Sequence, residues 1–356
     1  MKIGVFDPYL DTLSGGEKYM LSIASCLSSS HEVFIFWDKD KEQEIKTATL
    51  RKLRIDLSSV KFYSNIFDKE VSSISRFLES RQFDAIVYLS DGSVPLIGTK
   101  LYVHFQFPVE WVNGKSIKTK LKLASAKKIF CNSYFTKHFI DRKFNINSNV
   151  LYPPVHIQVS NAKKENVILH VGRFDVDEYG SNYKKQDVMI GVFKHMVDKG
   201  LKNWKFNLVL GVKDKYKEEL SKLIQMAKGY PIEIIENPLN ETLWENYSKA
   251  KIYWHGTGYG ENLEKSPEKA EHFGISTVEA MGSGSVPVVI NAGGQKEIVE
   301  NNKSGYLWNT LDDLEAKTNV LVKDEKLWEE MSSAAIKKSK IFTGDRFCND
   351  LKNLIK

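Results

Sequence analysis

The chain has few cysteines and no long apolar run. Cys26, Cys131 and Cys348 are far apart among 356 residues and show no metal-ligand spacing. This argues against a disulfide scaffold and favours a reducing compartment. No run approaches the roughly 18 apolar residues that a membrane span requires, and Lys2–Phe6 leads straight into Asp7 without a signal-peptide core. We therefore expect a cytoplasmic protein, at most peripheral on the inner face of a membrane.

A strong charge imbalance is also absent. The net charge is +6, which suits an anionic ligand or lipid surface but is too small to indicate nucleic-acid binding. Zinc-finger and aromatic RNA-binding motifs are missing as well, so we expect no nucleic-acid partner. Apolar residues make up 42% of the chain, which is typical of a globular protein, and the length is sufficient for two domains.

Short apolar runs alternate with helical patterns, the rhythm of parallel sheets with crossover helices. One series of apolar runs precedes the break at Leu151–Pro154 and another follows it. This predicts an α/β protein of two Rossmann-like, doubly wound domains, residues 1–155 and 156–340, facing across a ligand cleft. The predicted strands are Lys2–Phe6, Glu32–Phe36, Val60–Phe62, Asp84–Leu89, Leu101–Val103, Lys128–Cys131, Val167–Val171, Phe206–Leu210, Ile232–Ile235, Ile252–Trp254 and Val286–Ile290.

The most informative segment is Glu271–Met281, which has glutamates at both 271 and 279. Gly274 permits close approach of a ligand, and the apolar residues after it recur at helical spacing. The amides of Gly274, Ile275 and Ser276 would then be free donors at a helix N-terminus, suited to a phosphate or a sugar. A carboxylate on each side can accept hydrogen bonds from sugar hydroxyls.

This pattern resembles the paired-glutamate signature of glycosyltransferase family 4, whose retaining enzymes have the two-domain GT-B fold. The resemblance implies that Glu279 holds the ribose of a nucleotide sugar and that Glu271 lies near the donor sugar. It also implies that the last helix, residues 341–356, packs back on the first domain.

Arg173 ends a predicted strand, and Lys184 precedes the predicted helix Gln186–Asp198. In the resembling family these two cations grip the donor diphosphate, whose leaving charge must be stabilised. The loop between them is longer here than in the common form, so Lys185 is an alternative to Lys184.

Two further segments of the second half match the family. Gly293 and Gly294 fit its double-glycine turn, where Gly294 is either a donor-binding residue or part of a routine strand–helix turn. The glycine-containing stretch after His255 suggests a flap over the nucleotide. We expect His255 itself to pack or hydrogen-bond locally rather than catalyse.

The first half supplies the acceptor side of the resemblance. Gly15 and Gly16 match a turn whose amides approach the donor phosphate, with an ordinary βα turn as the alternative. His104, at the end of a predicted strand, matches a histidine that reaches the reaction centre, although a lone histidine is often structural. Several segments here look like those of lipid-linked-oligosaccharide mannosyltransferases that use GDP-mannose, and equally like those of bacterial relatives.

Residues 115–128 are rich in lysine and partly amphipathic. Such a helix can lie on anionic lipid and could dock a lipid-linked acceptor. The alternative is a solvated helix whose apolar side faces the core.

The resemblance thus implies a retaining hexosyltransferase, with mannose favoured, that uses a nucleotide sugar and a glycan or glycolipid acceptor. We expect no metal site and no cofactor, and front-face displacement in which the leaving phosphate takes the acceptor proton. The alternatives are a UDP-sugar-dependent transferase of the same fold, a sugar-nucleotide epimerase, a non-catalytic sugar-binding module, and a metal-dependent single-domain transferase. The last would use an Asp-x-Asp triplet, of which the chain has two, Asp38–Asp40 and Asp175–Asp177.

Overall fold

The computed structural model describes residues 1–12, 15–114, 116–158, 162–177 and 180–355. The chain divides into two compact units. Unit 1 comprises Met1–Pro154 and Gly344–Lys356, and unit 2 comprises Val155–Thr343. Unit 1 is therefore discontinuous in sequence, with unit 2 inserted between its segments. Within the described ranges, no helix has the length and apolarity needed to cross a bilayer.

The described part of unit 1 is built around a parallel sheet of seven strands, in the order β3-β2-β1-β4-β5-β6-β7. Because helices cover both faces of such a sheet, its central strands are apolar at successive positions. The fourth strand, for example, is buried along its whole length. The strands are β1 Lys2–Phe6, β2 Glu32–Phe36, β3 Val60–Tyr63, β4 Ala85–Leu89, β5 Lys100–Phe105, β6 Ala126–Cys131 and β7 Asn149–Val150.

Helices form a layer on each face of this sheet. Alternate residues of β4 enter different cores: Val87 joins Tyr19 and Phe347, whereas Ile86 joins Ile140 and Phe144. Successive side chains of a strand point to opposite faces, so these cores lie on opposite sides of the sheet. The helices of unit 1 are α1 Gly15–Ser28, α2 Glu42–Leu53, α3 Ser73–Ser80, α4 Ile117–Ala124, α5 Tyr134–Phe144 and α13 Gly344–Leu354.

A disulfide joins α1 to α13. Cys26 and Cys348 are 322 residues apart in sequence, but their Cα atoms are 5.4 Å apart and their sulfurs are bonded, whereas Cys131 is buried and free. The expectation from cysteine spacing was therefore wrong for this pair. The reason is the return of the C-terminal segment to unit 1, where α13 packs on α1 and the Phe347 ring lies 5.3 Å from that of Tyr19.

The described part of unit 2 contains a six-stranded parallel sheet in the order β10-β9-β8-β11-β12-β13. This is the strand order of the Rossmann fold, so the prediction of two Rossmann-like α/β domains is confirmed. The strands are β8 Glu165–Phe174, β9 Lys205–Val212, β10 Ile232–Glu236, β11 Ala250–His255, β12 Val286–Ile290 and β13 Tyr306–Trp308; the helices are α6 Gln186–Asp198, α7 Lys217–Ala227, α8 Asn240–Lys249, α9 Ile275–Gly282, α10 Gln295–Ile298, α11 Leu311–Lys323 and α12 Glu325–Ser339.

The strand order reverses between β8 and β11 in this sheet. Ligands of open parallel sheets bind at the carboxyl ends of the strands next to such a switch point. Arg173 lies at the carboxyl end of β8, and His255 is the last residue of β11. The fold therefore brings the ends of two distant segments to one edge of unit 2.

Candidate active site

A cluster of one carboxylate, one ammonium and one imidazole lies at this edge. Lys184 Nζ is 2.7 Å from Glu271 Oε2, and His255 Nε2 is 3.0 Å from the same oxygen. An ionised carboxylate is only an acceptor, so His255 donates through Nε2–H. Thr257 Oγ1, 3.3 Å from that nitrogen, is a second and weaker contact. The contacts with Lys184 and His255 therefore involve the same carboxylate oxygen, Oε2.

The cluster keeps Glu271 ionised. Burial alone would raise the pKa of this carboxyl, but the Lys184 ammonium and the His255 hydrogen bond outweigh it and hold the pKa well below its usual value. Burial lowers the pKa of His255, against the opposing effect of Glu271. The imidazole is therefore neutral at pH 7, and the cluster is a carboxylate–ammonium pair held by a neutral donor.

The structure distinguishes Lys184 from Lys185. Lys185 has a left-handed backbone conformation, with φ of 60°, immediately before α6. Its Nζ lies 2.7 Å from Glu261 Oε1, in the loop after β11, and Lys269 Nζ lies 3.0 Å from the other oxygen of Glu261. Two adjacent lysines therefore have different carboxylate partners, and Lys184 is the one against Glu271.

Arg173 stands apart from this cluster. Its side chain is 61% exposed, and its Nε lies 3.6 Å from Asp175 Oδ2. A hydrogen bond fixes the Arg173 backbone, because the buried Gln186 donates from Nε2 to the Arg173 carbonyl at 3.0 Å. The same Nε2 lies 3.3 Å from Nε2 of the buried His170. Gln186 and His170 carry no sequence signal for this role, and neither was predicted to support the backbone of Arg173.

The predicted helix after Gly274 is present as α9. Gly274 has φ of 120°, and a Cβ there would lie 2.6 Å from Gln295 Nε2. Both facts require glycine at the start of this helix. The first amides of a helix have no intrahelical acceptor. The first amides of α9, at the half-buried Ile275 and Ser276, are therefore the donors that the sequence leads us to expect for an anion, and their role in binding stays a prediction.

Glu279 lies within α9, whereas Glu271 precedes that helix, and a buried tyrosine orients Glu279. Tyr247 Oη donates to Glu279 Oε2 at 2.9 Å. Tyr253, on β11, donates to Ser276 Oγ at 2.8 Å and lies 3.2 Å from the Val171 carbonyl. Neither tyrosine carries a sequence signal beyond its place in a buried helix or strand, so neither was predicted.

The Gly294 amide supports the backbone of the cluster and is not a free donor. Gly294 N donates to the Glu271 carbonyl at 2.8 Å. A Cβ on Gly293 would lie 2.3 Å from that carbonyl oxygen, and one on Gly294 would lie 2.5 Å from the Phe273 backbone. The geometry therefore fits a routine strand–helix turn, which was the alternative to donor binding. These glycines let two backbone segments come into contact, and that contact sets the position of Glu271.

The predicted residues of unit 1 differ in burial. Gly15 begins α1 and is exposed, whereas a Cβ on the half-buried Gly16 would lie 2.8 Å from Gln106 Oε1, so the turn is tightly packed at Gly16. His104 is fully buried between the rings of Tyr19 and Phe130, with centroids at 4.2 and 4.7 Å. Burial lowers the pKa of His104 to about 3. The expectation that His104 reaches a substrate is therefore corrected, because its strand-end position is covered by aromatic side chains.

The two Asp-x-Asp triplets take part in local contacts. Asp38 Oδ1 accepts from the Asp40 amide at 3.0 Å as a helix cap, and Asp177 Oδ1 accepts from the Ser181 amide at 2.8 Å. Asp175 is the partner of Arg173. These contacts are those of a helix cap, a turn and an ion pair.

The chain resembles known glycosyltransferases in sequence. It is 24% identical over 322 residues to the GDP-Man:Man(3)GlcNAc(2)-PP-Dol alpha-1,2-mannosyltransferase of Dictyostelium discoideum. The alignment covers 83% of this chain but 57% of that protein, so the chain spans little more than half the length of its curated relative.

Solved structures show the same fold over the whole chain. Anabaena Alr3699/HepE in complex with UDP superposes with a TM-score of 0.73 at 17% identity, covering 100% of this chain and 99% of that one. A glycosyltransferase of Rickettsia africae gives a TM-score of 0.71 at 15% identity, covering 100% and 98%. These likenesses identify the fold as GT-B. The family described as glycosyl transferases group 1 matches residues 155–338, which lie within unit 2 and carry the Lys184–Glu271–His255 cluster, and the chain belongs to this family.

Proposed function

We propose that the protein is a retaining family 4 glycosyltransferase that moves a hexose, with mannose favoured, from a nucleoside diphosphate sugar to a glycan or glycolipid. The observation that supports the proposal is the cluster of Lys184, Glu271 and His255 in the segment that leads into α9, with the exposed Arg173 at the end of β8 in the same unit. This arrangement offers cations and amides to a diphosphate and carboxylates to sugar hydroxyls.

Each residue has a role in the proposed reaction. Glu279, oriented by Tyr247, accepts hydrogen bonds from the ribose. Arg173 and Lys184 stabilise the diphosphate as it departs, which is the step where fixed charge contributes most. Glu271 and the amides of Ile275 and Ser276 hold the donor. Unit 1 binds the acceptor in this proposal, and Gly15 and Gly16 form the turn at the start of α1.

The proposed chemistry is front-face displacement. The bond between the sugar C1 and the diphosphate oxygen breaks, and a bond from the acceptor hydroxyl oxygen forms on the same face. The hydroxyl proton passes to the departing phosphate oxygen, so atoms and charge balance without a further reactant. In this proposal the cations of the protein replace a metal ion, and no cofactor takes part.

GDP-mannose is the favoured donor because the similar Dictyostelium protein is named for it. A UDP-sugar is the second candidate because Alr3699/HepE was crystallised with UDP. The first test is thermal stabilisation of the protein by GDP, UDP and ADP in the presence of a chelator, since a ligand of the native state raises the midpoint. Selective stabilisation by GDP supports the mannosyl donor, and selective stabilisation by UDP replaces it with a UDP-sugar.

Product analysis tests the reaction class. The stabilising nucleotide sugar is incubated with lipid-linked and free glycan acceptors, and the anomeric configuration of the product is determined by NMR. Retention of the donor configuration in a new glycoside is expected. An inverted product would contradict the mechanism, and nucleotide release with an altered free sugar and no acceptor would identify an epimerase.

A further inference from the structure

Helix α3 presents its apolar side to solvent. Ile74, Phe77 and Leu78 are spaced as neighbours on one helical face. All three are exposed, Ile74 to 75% and Leu78 to 56%. Within this fully described helix, Ser80 is the buried residue. An ordinary surface helix turns such a stripe toward the core, so the outward stripe on α3 needs another explanation.

Helix α4 also presents large apolar side chains to solvent, and it carries positive charge beside them. Ile117 and Leu121 are one turn apart and are 78% and 67% exposed, whereas Leu123 provides the buried contact. Lys118 and Lys120 are exposed between and beside them. Large apolar side chains and ammonium groups therefore share the outer surface of one short helix.

The two helices lie on the same side of the unit 1 sheet. They follow β3 and β5, and both connections lead in the same direction along the sheet, so right-handed crossovers place both helices on one face. Phe83, just after α3, and Leu123 of α4 belong to the same core cluster. Burial is the main cause that lowers the pKa of Lys122, and the positive charges of Lys118 and Arg76 lower it further. Arg76 of α3 is therefore near α4. We name this surface, formed by Ile74, Phe77, Leu78, Ile117, Lys118, Lys120 and Leu121, the α3–α4 face.

The positive excess of the chain lies in the sequence segment that contains α4. Residues 111–140 contain seven lysines and no acidic residue, whereas the other 326 residues contain 44 basic and 45 acidic side chains. The whole positive excess therefore comes from one segment that includes α4. Helix α3 contributes one arginine and one glutamate, so its share of the face is apolar. Lys115, the first residue of the predicted basic stretch, lies outside the described residues.

We propose that the α3–α4 face docks on an anionic lipid bilayer. Its apolar side chains enter the boundary between headgroups and acyl chains, and Lys118 and Lys120 bind lipid phosphates. An anionic bilayer is the partner that the charge of this face favours. Lysine ammonium groups are compact point charges, and they can bind many loosely ordered lipid phosphates. The proposal goes beyond sugar transfer and does not depend on it, since binding to vesicles requires no donor and no acceptor.

Flotation of the intact protein with vesicles tests the proposal. Binding is expected to phosphatidylcholine vesicles that contain phosphatidylglycerol, and little binding to phosphatidylcholine alone. Added salt should weaken it, because exposed charges are screened. Lys118→Gln and Lys120→Gln should each weaken partition about fivefold, and Ile74→Ser or Ile117→Ser about tenfold. All four positions are exposed, so the variants should fold, which circular dichroism checks.

Helix α7 of unit 2 provides matched controls. Ile224 is also an exposed isoleucine, and Lys222 is exposed near it on α7. Ile224→Ser and Lys222→Gln should leave vesicle binding unchanged. Three results would overturn the proposal: absence of binding to anionic vesicles at low salt, equal loss in the control variants, or concentration-dependent self-association removed by the α3–α4 substitutions without vesicle binding. The last would identify the face as a contact between copies of this chain.

Discussion

The Lys184 ammonium and the Glu271 carboxylate form an ion pair 87 residues apart in sequence, at 2.7 Å, beside the start of α9. Both side chains are mostly buried, so the pair is less screened than a surface salt bridge. Removing one partner of such a pair leaves a charge with incomplete compensation.

Lys184→Met should therefore reduce kcat/KM about 100- to 1,000-fold, because it removes a cation proposed to stabilise the leaving diphosphate. Lys185→Met is the matched control, since it changes the neighbouring lysine, whose partner is Glu261. We expect the control to lose less than about tenfold. Steady-state kinetics with the stabilising nucleotide sugar measure both. Equal losses would show that the two lysines are not functionally distinct.

His255 should act as a positioning residue for Glu271. His255→Leu removes the Nε2–H donor, so kcat/KM should fall about 10- to 100-fold, and His255→Gln should recover part of the loss through its amide donor. The hydrogen bond helps to lower the pKa of Glu271. Its loss should therefore raise that pKa and shift the acidic limb of the pH–rate profile to higher pH in His255→Leu. An unshifted limb would leave His255 with a packing role.

Asp7, which directly follows β1, predicts a pH dependence of the free energy of unfolding. Burial first, with Glu17 and Asp11 contributing, raises its pKa to about 7 against the hydrogen bond from the Tyr9 amide. The folded state thus retains a proton that the unfolded state releases near pH 3.8. This contribution to stability is full below pH 3.8 and is lost as the pH rises through about 7.

Asp7→Asn keeps the shape of the protonated carboxyl and removes its ionisation. At pH 8 the variant should exceed the native protein in free energy of unfolding by a few kcal/mol, a difference of the order that a three-unit pKa shift implies. Near pH 4 the gap should close. Urea unfolding at the two pH values measures it, and a gap independent of pH would contradict the assignment.

Gly274→Ala should destabilise the protein by about 1–3 kcal/mol, because φ of 120° and the contact with Gln295 both disfavour a Cβ. Gly191→Ala is the control, since Gly191 lies within α6 and a Cβ there meets no atom within 4 Å. It should raise stability by about 0.5–1 kcal/mol. Thermal midpoints distinguish the two. A neutral Gly274→Ala would show that the start of α9 can relax.

Much of the fold followed from local pattern. The sequence predicted β1, β2 and β12 with their observed bounds, because buried parallel strands are continuous apolar runs. The helix Gln186–Asp198 also has its observed bounds as α6. The short strand β7 and the weakly apolar helix α2 were missed, since two residues carry no period and α2 buries few side chains.

In the candidate site, too, features that depend on local sequence were predicted, whereas those that depend on long-range contacts were not. The motif pointed to Glu271 and to the helix after Gly274, whose glycine and spacing are local properties. The choice of Lys184 over Lys185 depends on one left-handed residue, and the burial of His104 depends on rings from α1 and β6. His255 and Tyr247 acquire their partners through the order of the strands and helices of unit 2. Such contacts are long-range and leave no mark in a single sequence.

The discontinuity of unit 1 has a consequence for how the chain responds to cleavage. Unit 2 is covalently attached at both its ends, after Pro154 and before Gly344, and the Cys26–Cys348 disulfide ties the returning segment to the first helix. A protease that cuts one connection leaves a nicked but still covalent molecule under oxidising conditions. Reduction would convert that nicked molecule into two polypeptides held by the packing of α13 on α1.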